Sequence, residues 1–270
     1  RARRTMMKGQ SNGQEPPPPL QVLLQTLSWE TTMTRVTAKW VRCAAVLALL
    51  AAAAQSGRAS AAEVEELGSH QKFTTPLLLA GKNYSLVGIG LHAQHASKEP
   101  TKGTALVEQL FAMGLYLDHS AAKVAFPALL GKAPTKAMMM AESRAQNFVI
   151  WGRFGKLAVL RFLRPVAKTE VAQFFRSGLA DLLTDKTFPD LRHDTEAFLA
   201  LFDKDLLAGQ ELRIYTSDSG AIDIYQDGVK KVGPGSPKLA RHLWEIWLGS
   251  QGAARNLRVS LVDRLDVLKK

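Results

Sequence analysis

The order of apolar patterns along the sequence predicts an α+β fold in which helices pack on one face of a large antiparallel sheet. Strand patterns separated by turn residues come first, helical patterns occupy the middle, and a further strand pair precedes a helical C-terminal region. This order differs from the strict strand and helix alternation of parallel-sheet proteins. Of the 270 residues, 46% are hydrophobic and 22% are charged, which is typical of a globular chain. We therefore expect one domain over residues 62–270, preceded by a leader over residues 1–61.

The strands are predicted from extended apolar runs that flank clusters of turn residues. The cluster Ala80–Asn83 divides the stretch 72–94 into two such runs, which indicates a hairpin. The turn Ser217–Gly220 separates two alternating segments, which indicates a second hairpin. The remaining predictions are strands over Ala105–Asp118, Gly155–Val166, Glu211–Thr216 and Ala221–Gln226 and a turn at Asp227-Gly228.

The helices are predicted from apolar residues at helical spacing. The last but one begins with Ser236 as the N-cap and Pro237 at the first helical position, and it ends at Gly249. The other predicted helices cover residues 119–132, 167–185, 190–207 and 254–268.

The first 61 residues predict a targeting leader. Three basic residues after Met33 precede twelve apolar residues, Cys43–Ala54, and the small residues Ala59–Ala61 supply a cleavage site. This pattern indicates a signal or transit peptide that directs the chain across a membrane, toward a plastid or a secretory or periplasmic compartment. Twelve residues rise only about 18 Å as a helix, against roughly 30 Å of hydrocarbon, so we expect no stable membrane anchor.

Charge and cysteine content exclude several classes of function. The net charge of +11 is concentrated in residues 1–61, which hold eight basic and two acidic residues, so the domain has the balanced surface of a protein that does not bind nucleic acid. The single cysteine, Cys43, lies within the predicted leader. No disulfide and no thiolate metal site within the chain is expected.

The stretch Leu86–His95, LVGIGLHAQH, is predicted to be a strand rather than a phosphate-binding loop. Gly88 and Gly90 lack the third glycine of a dinucleotide loop, and Pro100 follows where a helix would have to begin. The two glycines admit close packing on the strand. His92 and His95 are three residues apart and would lie on opposite faces, which is poor geometry for a shared metal ion. No catalytic constellation and no cofactor motif is found.

Three passages together resemble the chalcone isomerase-like superfamily: YSLVGIGLHAQ, LFAMGLYLD, and GAIDIYQDGVKKVGPGSPKLARHLWEIWLG. Their order and approximate spacing match over residues 72–265. The resemblance implies an open-faced β-sandwich with the ligand cleft between the sheet and the helices. The superfamily includes chalcone isomerases, non-catalytic helpers of flavonoid synthesis, and fatty-acid-binding proteins of plastids.

The resemblance also implies where a ligand would bind, and the residues at those positions differ from the family pattern. His92 stands where the relatives have arginine, and Phe111 stands where they have a tyrosine or threonine hydroxyl. A neutral histidine has no charge and only one N–H to donate to an anion, whereas a guanidinium has a permanent positive charge and paired donors. The implied ligand-binding set is His92, Phe111, Tyr116, Ala167 and Phe174.

Three functions follow from this reading. The first is a non-catalytic protein that binds a fatty acid or a flavonoid-like apolar molecule in the cleft. The second is an intramolecular lyase of the chalcone isomerase type with an altered active site, in which His92 replaces arginine. The third is a structural protein whose cleft is filled by its own side chains. Without the cation and its hydroxyl partner, an anionic transition state would lose electrostatic stabilisation, which disfavours the second.

Overall fold

A seven-stranded antiparallel sheet is the centre of the structure, a computed structural model that describes residues 61–95, 107–130, 143–183, 188–251 and 254–269. The strands are β1 (Ala62–Glu66), β2 (Gln71–Thr75), β3 (Leu77–Leu79), β4 (Lys82–His95), β5 (Val107–Asp118), β6 (Lys156–Phe162), β7 (Glu211–Thr216), β8 (Ala221–Gln226) and β9 (Val229–Gly235). Strands β3 to β9 pair in chain order, and β1 and β2 form a separate hairpin. The predicted α+β class is confirmed.

The helices interrupt the order of strands at two points, and one further helix follows the last strand. They are α1 (His119–Leu130), α2 (Arg144–Trp151), α3 (Lys168–Leu182), α4 (Phe188–Leu199) and α5 (Pro237–Leu248). Helices α1 and α2 connect β5 to β6, α3 and α4 connect β6 to β7, and α5 follows β9. None of the helices in the described ranges is long and apolar enough to cross a membrane. The predicted leader, apart from Ala61, lies outside the described residues.

The helices cover one face of the sheet because strand side chains alternate between its two faces. In β5, Phe111, Met113 and Leu115 belong to the large core that the helices share, whereas Ala112 and Tyr116 belong to a smaller cluster on the other face. The hairpin of β1 and β2 contributes Phe73 to that smaller cluster. The arrangement is the predicted open-faced sandwich.

Turn and capping residues determine the ends of several elements as predicted, but the helix predicted over residues 190–207 ends at Leu199, and helix α2 was not predicted. Ala80 and Gly81 both have positive φ angles and form the turn between β3 and β4. The hydroxyl of Ser236 accepts a hydrogen bond from the backbone N–H of Leu239 at 3.4 Å, which caps α5. Strand β9, which contains Pro234, was not predicted; it lies at the edge of the sheet, where a residue without an N–H is tolerated.

The predicted helix over residues 254–268 is wrong. The segment forms three short 3-10 helices, Arg255–Leu257, Ser260–Val262 and Leu265–Lys269. The backbone N–H of Arg264 would donate to Ser260 in an α-helix, but it donates instead to the carbonyl oxygen of Val87 in β4, at 2.9 Å. A tertiary contact with the strand therefore replaces the local helical hydrogen bond.

Gly88 and Gly90 make this contact possible. A Cβ atom on Gly88 would lie 2.0 Å from the carbonyl carbon of Leu261, and one on Gly90 would lie 2.4 Å from Oγ of Ser260. A side chain at Gly88 would push the backbone of the C-terminal segment away from β4, and one at Gly90 would displace the side chains of Ser260 and Leu257. The sequence prediction that the glycines admit close packing is confirmed, and the structure identifies the C-terminal segment as the packing partner.

We expect Gly88→Ala to destabilise the protein by about 3 kcal/mol, because its methyl group would overlap backbone atoms that cannot move without displacing the C-terminal segment. Urea unfolding of the variant and the wild type measures this loss. Gly235→Ala is the matched control, since a Cβ there meets nothing within 4 Å. Equal losses for the two variants would contradict the interpretation.

Candidate functional site

A cavity of about 610 Å³ lies between the sheet and helix α3, at the place where the resemblance implies the ligand cleft. We call it the apolar cavity. Its walls come from β4, β5, β6, α3 and the first 3-10 helix after α5. The lining residues are His92, Ala93, Leu110, Phe111, Leu160, Phe162, Val166, Glu170, Val171, Gln173, Phe174, Phe175, Ser177 and Asn256.

Strand register creates one wall of the apolar cavity. Phe111 in β5 pairs with His92 in β4 on one side and with Phe162 in β6 on the other, so three rings stand in one row across three strands. The imidazole of His92 stacks on Phe111 with ring centroids 4.9 Å apart, and Phe162 lies 5.8 Å from Phe111. The sheet therefore presents an almost continuous aromatic surface to the cavity.

Helix α3 provides the opposite wall. Residues at helical spacing place Val171, Phe174 and Phe175 on its side toward the sheet. Phe174 approaches the edges of two rings of the aromatic row, with its centroid 5.6 Å from that of His92 and 5.9 Å from that of Phe111. Such edge-to-face contacts are favourable for aromatic pairs, so they hold α3 at a defined distance from the sheet.

Asn256 determines which tautomer of His92 is present. The side-chain N–H of Asn256 donates to the carbonyl oxygen of Leu91 at 3.1 Å, which leaves its oxygen facing the imidazole. Nδ1 of His92 lies 3.2 Å from that oxygen and must therefore donate a proton to it. A neutral His92 consequently carries its hydrogen on Nδ1, and Nε2 has the character of an acceptor.

Burial keeps His92 neutral. Removal of the imidazole from water lowers the pKa of His92 below its usual value, and the hydrogen bond with Asn256 opposes this shift only in part. At pH 7 the position that holds a permanent cation in the family pattern thus carries an uncharged ring. The described residues that line the apolar cavity include neither lysine nor arginine.

Among the described residues that line the cavity, one is charged, and it is an acid. The carboxylate of Glu170 receives a hydrogen bond from the guanidinium of Arg164, which raises the pKa of Arg164. Nε of Arg164 also lies 2.9 Å from a carboxylate oxygen of Glu108. The guanidinium thus has two acidic partners, and this charge cluster does not offer a free cation to an anionic ligand.

The structure brings together three of the five predicted site residues. His92, Phe111 and Phe174 meet in the apolar cavity. Ala167 is the exposed residue before α3, and it is its neighbour Val166 that lines the cavity. Tyr116 lies on the other face of the sheet, five residues after Phe111, because an odd separation along a strand reverses the side; its hydroxyl donates to the carbonyl of Thr74 at 3.0 Å.

Sequence reasoning missed other members of the lining. Val171 and Phe175 appeared in the helical stripe of α3, but the stripe does not distinguish a cavity wall from a solid core. Asn256 had no local signal, since its contact with His92 joins residues 164 positions apart. In the described part of the chain no group of three or more potential metal ligands is present.

The fold and this cavity define a class of protein, an open-faced α+β domain with an apolar cavity between its sheet and a helix. Residues 71–262 match the family model described as chalcone isomerase-like. The chain belongs to the chalcone isomerase-like family, and the resemblance inferred from its motifs is confirmed.

A solved structure supports the fold independently. The crystal structure of an Arabidopsis thaliana fatty-acid binding protein is similar to this chain with a TM-score of 0.63 and 14% sequence identity, over 77% of this chain and 98% of that one. At this identity the similarity establishes a shared fold. No curated protein sequence matches the chain significantly.

We expect the stability of the wild type to fall more steeply between pH 7 and pH 5 than that of His92→Gln. Because the folded-state pKa of His92 lies below the unfolded value of about 6.5, the unfolded chain takes up the proton first. The stabilisation from a neutral His92 is present above about pH 6.5 and is lost as the pH falls through the folded-state pKa. Urea unfolding at both pH values measures the difference, and identical pH dependence would show that His92 does not titrate in this way.

Proposed function

We propose that this protein is a non-catalytic member of the family that binds a fatty acid or a similar apolar small molecule in the apolar cavity. The observation that carries the proposal is the cavity itself. Its volume of about 610 Å³ lies within the roughly 300–1,000 Å³ of small-molecule sites, and aromatic and aliphatic side chains form most of its walls.

The chemistry of the walls favours binding over catalysis. Ring closure of a chalcone develops negative charge that requires a positioned cation or hydrogen-bond donors. His92 is neutral and uses its Nδ1 hydrogen on Asn256, and Phe111 has no hydroxyl. The acid in the described lining, Glu170, would oppose rather than stabilise an anion. These features support a passive site.

The open volume also argues against a purely structural role. A cleft filled by its own side chains would leave no space of this size, because protein interiors are packed about as densely as organic crystals. Phe111 and Phe174 make an edge-to-face contact with centroids 5.9 Å apart, but the lining of the cavity also includes Phe162 and Ser177. This space requires an occupant or water.

The class of ligand is suggested by the shared fold and by the walls. The Arabidopsis structure with the same fold is described as a fatty-acid binding protein. In this chain the described lining supplies no cation for a carboxylate, so contact of the acyl chain with the apolar walls would provide most of the affinity. We therefore propose a ligand with a long apolar part, for which the charge of the head group matters little.

We expect Val171→Phe to abolish ligand retention. Val171 is a buried residue of α3 that lines the cavity, and the larger ring would occupy the ligand's space. Organic extraction of the purified protein followed by mass spectrometry measures the amount of bound lipid per chain. The matched control is Val232→Phe, which adds the same ring to a strand position that is 74% exposed.

The two outcomes of this comparison are distinct. A fall of at least about ten-fold in bound lipid for Val171→Phe, with no change for Val232→Phe, supports the proposal. A wild-type protein that carries no lipid and takes up none from fatty-acid solutions overturns it. Circular dichroism of both variants checks that the fold is retained.

We also expect no turnover of chalcones above the rate in buffer. The reason is the absence of a cation from the described residues lining the site where negative charge would develop. Absorbance assays over pH 6 to 9, with an active chalcone isomerase as the positive control, measure this rate. A rate that exceeds buffer and is lost in His92→Phe would instead support the altered isomerase.

A further inference from the structure

A second cavity, of about 330 Å³, shares no residue with the first. It lies where the end of α2, the start of β6, the turn between β7 and β8, and the first turns of α5 meet. Its lining residues are Ile150, Trp151, Gly152, Arg153, Lys156, Thr216, Ser217, Asp218, Ser219, Gly220, Pro237, Ala240 and Arg241. We call it the cationic cavity, because three of these residues are basic and one is acidic.

Lys156 is the most unusual of these residues, since it is only 6% exposed. Its ammonium group donates one hydrogen bond, to the carbonyl oxygen of Gly152 at 2.8 Å. An ammonium group has three hydrogens to donate, and no carboxylate of the described residues forms an ion pair with it. A buried charge without a counter-ion is unfavourable, so proteins normally pair it.

Lys156 remains mostly charged near neutral pH despite this environment. Burial, and to a lesser degree repulsion by Arg241, lowers the pKa of Lys156 to about 8. Lys156 and Arg241 line the same cavity. An anion between them would remove both unfavourable effects.

The two arginines of the cavity also have no carboxylate partner among the described residues. The guanidinium of Arg241 lies over the ring of Trp151, with Cζ 4.3 Å from the ring centroid, so its position is determined by the aromatic face. Arg153 is exposed at the rim. The carboxylate of Asp218 is exposed and accepts a hydrogen bond from the N–H of Ser219 at 2.9 Å.

The backbone brings a turn and a helix start together around these cations. Gly220 has a φ of 88°, and a Cβ on it would lie 2.5 Å from Cα of Pro237, so the turn between β7 and β8 sits directly against the start of α5. The hydroxyls of Ser217 and Ser219 belong to this turn and line the cavity. The positive end of the α5 dipole adds to the local potential.

We propose that the cationic cavity is a binding site for a phosphoryl group. Lys156 would use its remaining hydrogens, and the guanidinium of Arg241 would donate to the phosphoryl oxygens. The hydroxyls of Ser217 and Ser219 hydrogen-bond each other at 2.9 Å, so one hydroxyl hydrogen of the pair is left to donate to the anion. The bound anion would supply the counter-ion that Lys156 lacks among the described residues. This site is independent of the apolar cavity and of the function proposed for it.

The size of the cationic cavity bears on what carries the phosphoryl group. Its volume of about 330 Å³ corresponds to about eleven water molecules at roughly 30 Å³ each, whereas phosphate has five non-hydrogen atoms. Space therefore remains for an organic group beside Trp151, which is 57% exposed at the rim. Free phosphate and an aromatic phosphate ester are the two sources that the experiment must distinguish.

The test is isothermal titration calorimetry of the full chain with inorganic phosphate and with phenyl phosphate at pH 7. We expect both probes to bind the wild type and Lys156→Met to weaken binding at least about ten-fold. Lys156→Met removes a buried charge but also leaves the carbonyl oxygen of Gly152 without its donor, so the melting temperature and circular dichroism of each variant check that the fold is retained. Lys204→Met is the matched control, since Lys204 is an exposed lysine outside the cavity.

The calorimetric titrations can support or overturn the phosphoryl site. No binding of either probe to the wild type, or equal weakening by Lys156→Met and Lys204→Met, overturns the proposal. Tighter binding of phenyl phosphate that is reduced by Trp151→Ala identifies an ester as the ligand, and equal binding of the probes identifies free phosphate. Lipid content should be the same in Lys156→Met and the wild type, which separates this site from the apolar cavity.

Discussion

The close contact between the C-terminal segment and strand β4 is the constraint on which the site depends. Gly88 and Gly90 have no side chains, so the backbone around Leu261 lies directly on the strand. The same segment contains Asn256, which lies against the end of β4 and orients the ring of His92. The segment that packs on Gly88 is thus also the segment that supplies the hydrogen-bond partner of His92.

The two cavities show how burial gives opposite results for two basic side chains. His92 is buried among aromatic rings and becomes neutral, since its usual pKa is already close to 7. Lys156 is buried as well, but its usual pKa is so much higher that the shift leaves it charged near neutral pH. One cavity is consequently suited to an apolar molecule and the other to an anion. The difference arises because the sheet and the helices leave one space around His92 and another around Lys156.

Much of the fold could be predicted because its signals are local. The turn at Ala80-Gly81, the paired strands around Ser217–Gly220 and the Ser236 cap all rest on neighbouring residues, and all agree with the structure. The prediction of a helix over residues 254–268 was wrong because the N–H of Arg264 donates to Val87 in a distant strand and not to a carbonyl one helical turn earlier. The apolar pattern of that segment indicates burial correctly, but burial against a strand does not require an α-helix.

The sequence by itself determined the α+β class, the family and the departure from its pattern at His92 and Phe111, because motifs and alternating strands are written in short stretches of chain. Only the tertiary structure decided which residues meet. Tyr116 lies on the far face of the sheet, Asn256 contacts His92 from a distant part of the sequence, and Lys156 is buried in the same cavity as Arg241. The physical reason is that strand register and helix packing join residues far apart in the chain, and no local pattern specifies these contacts.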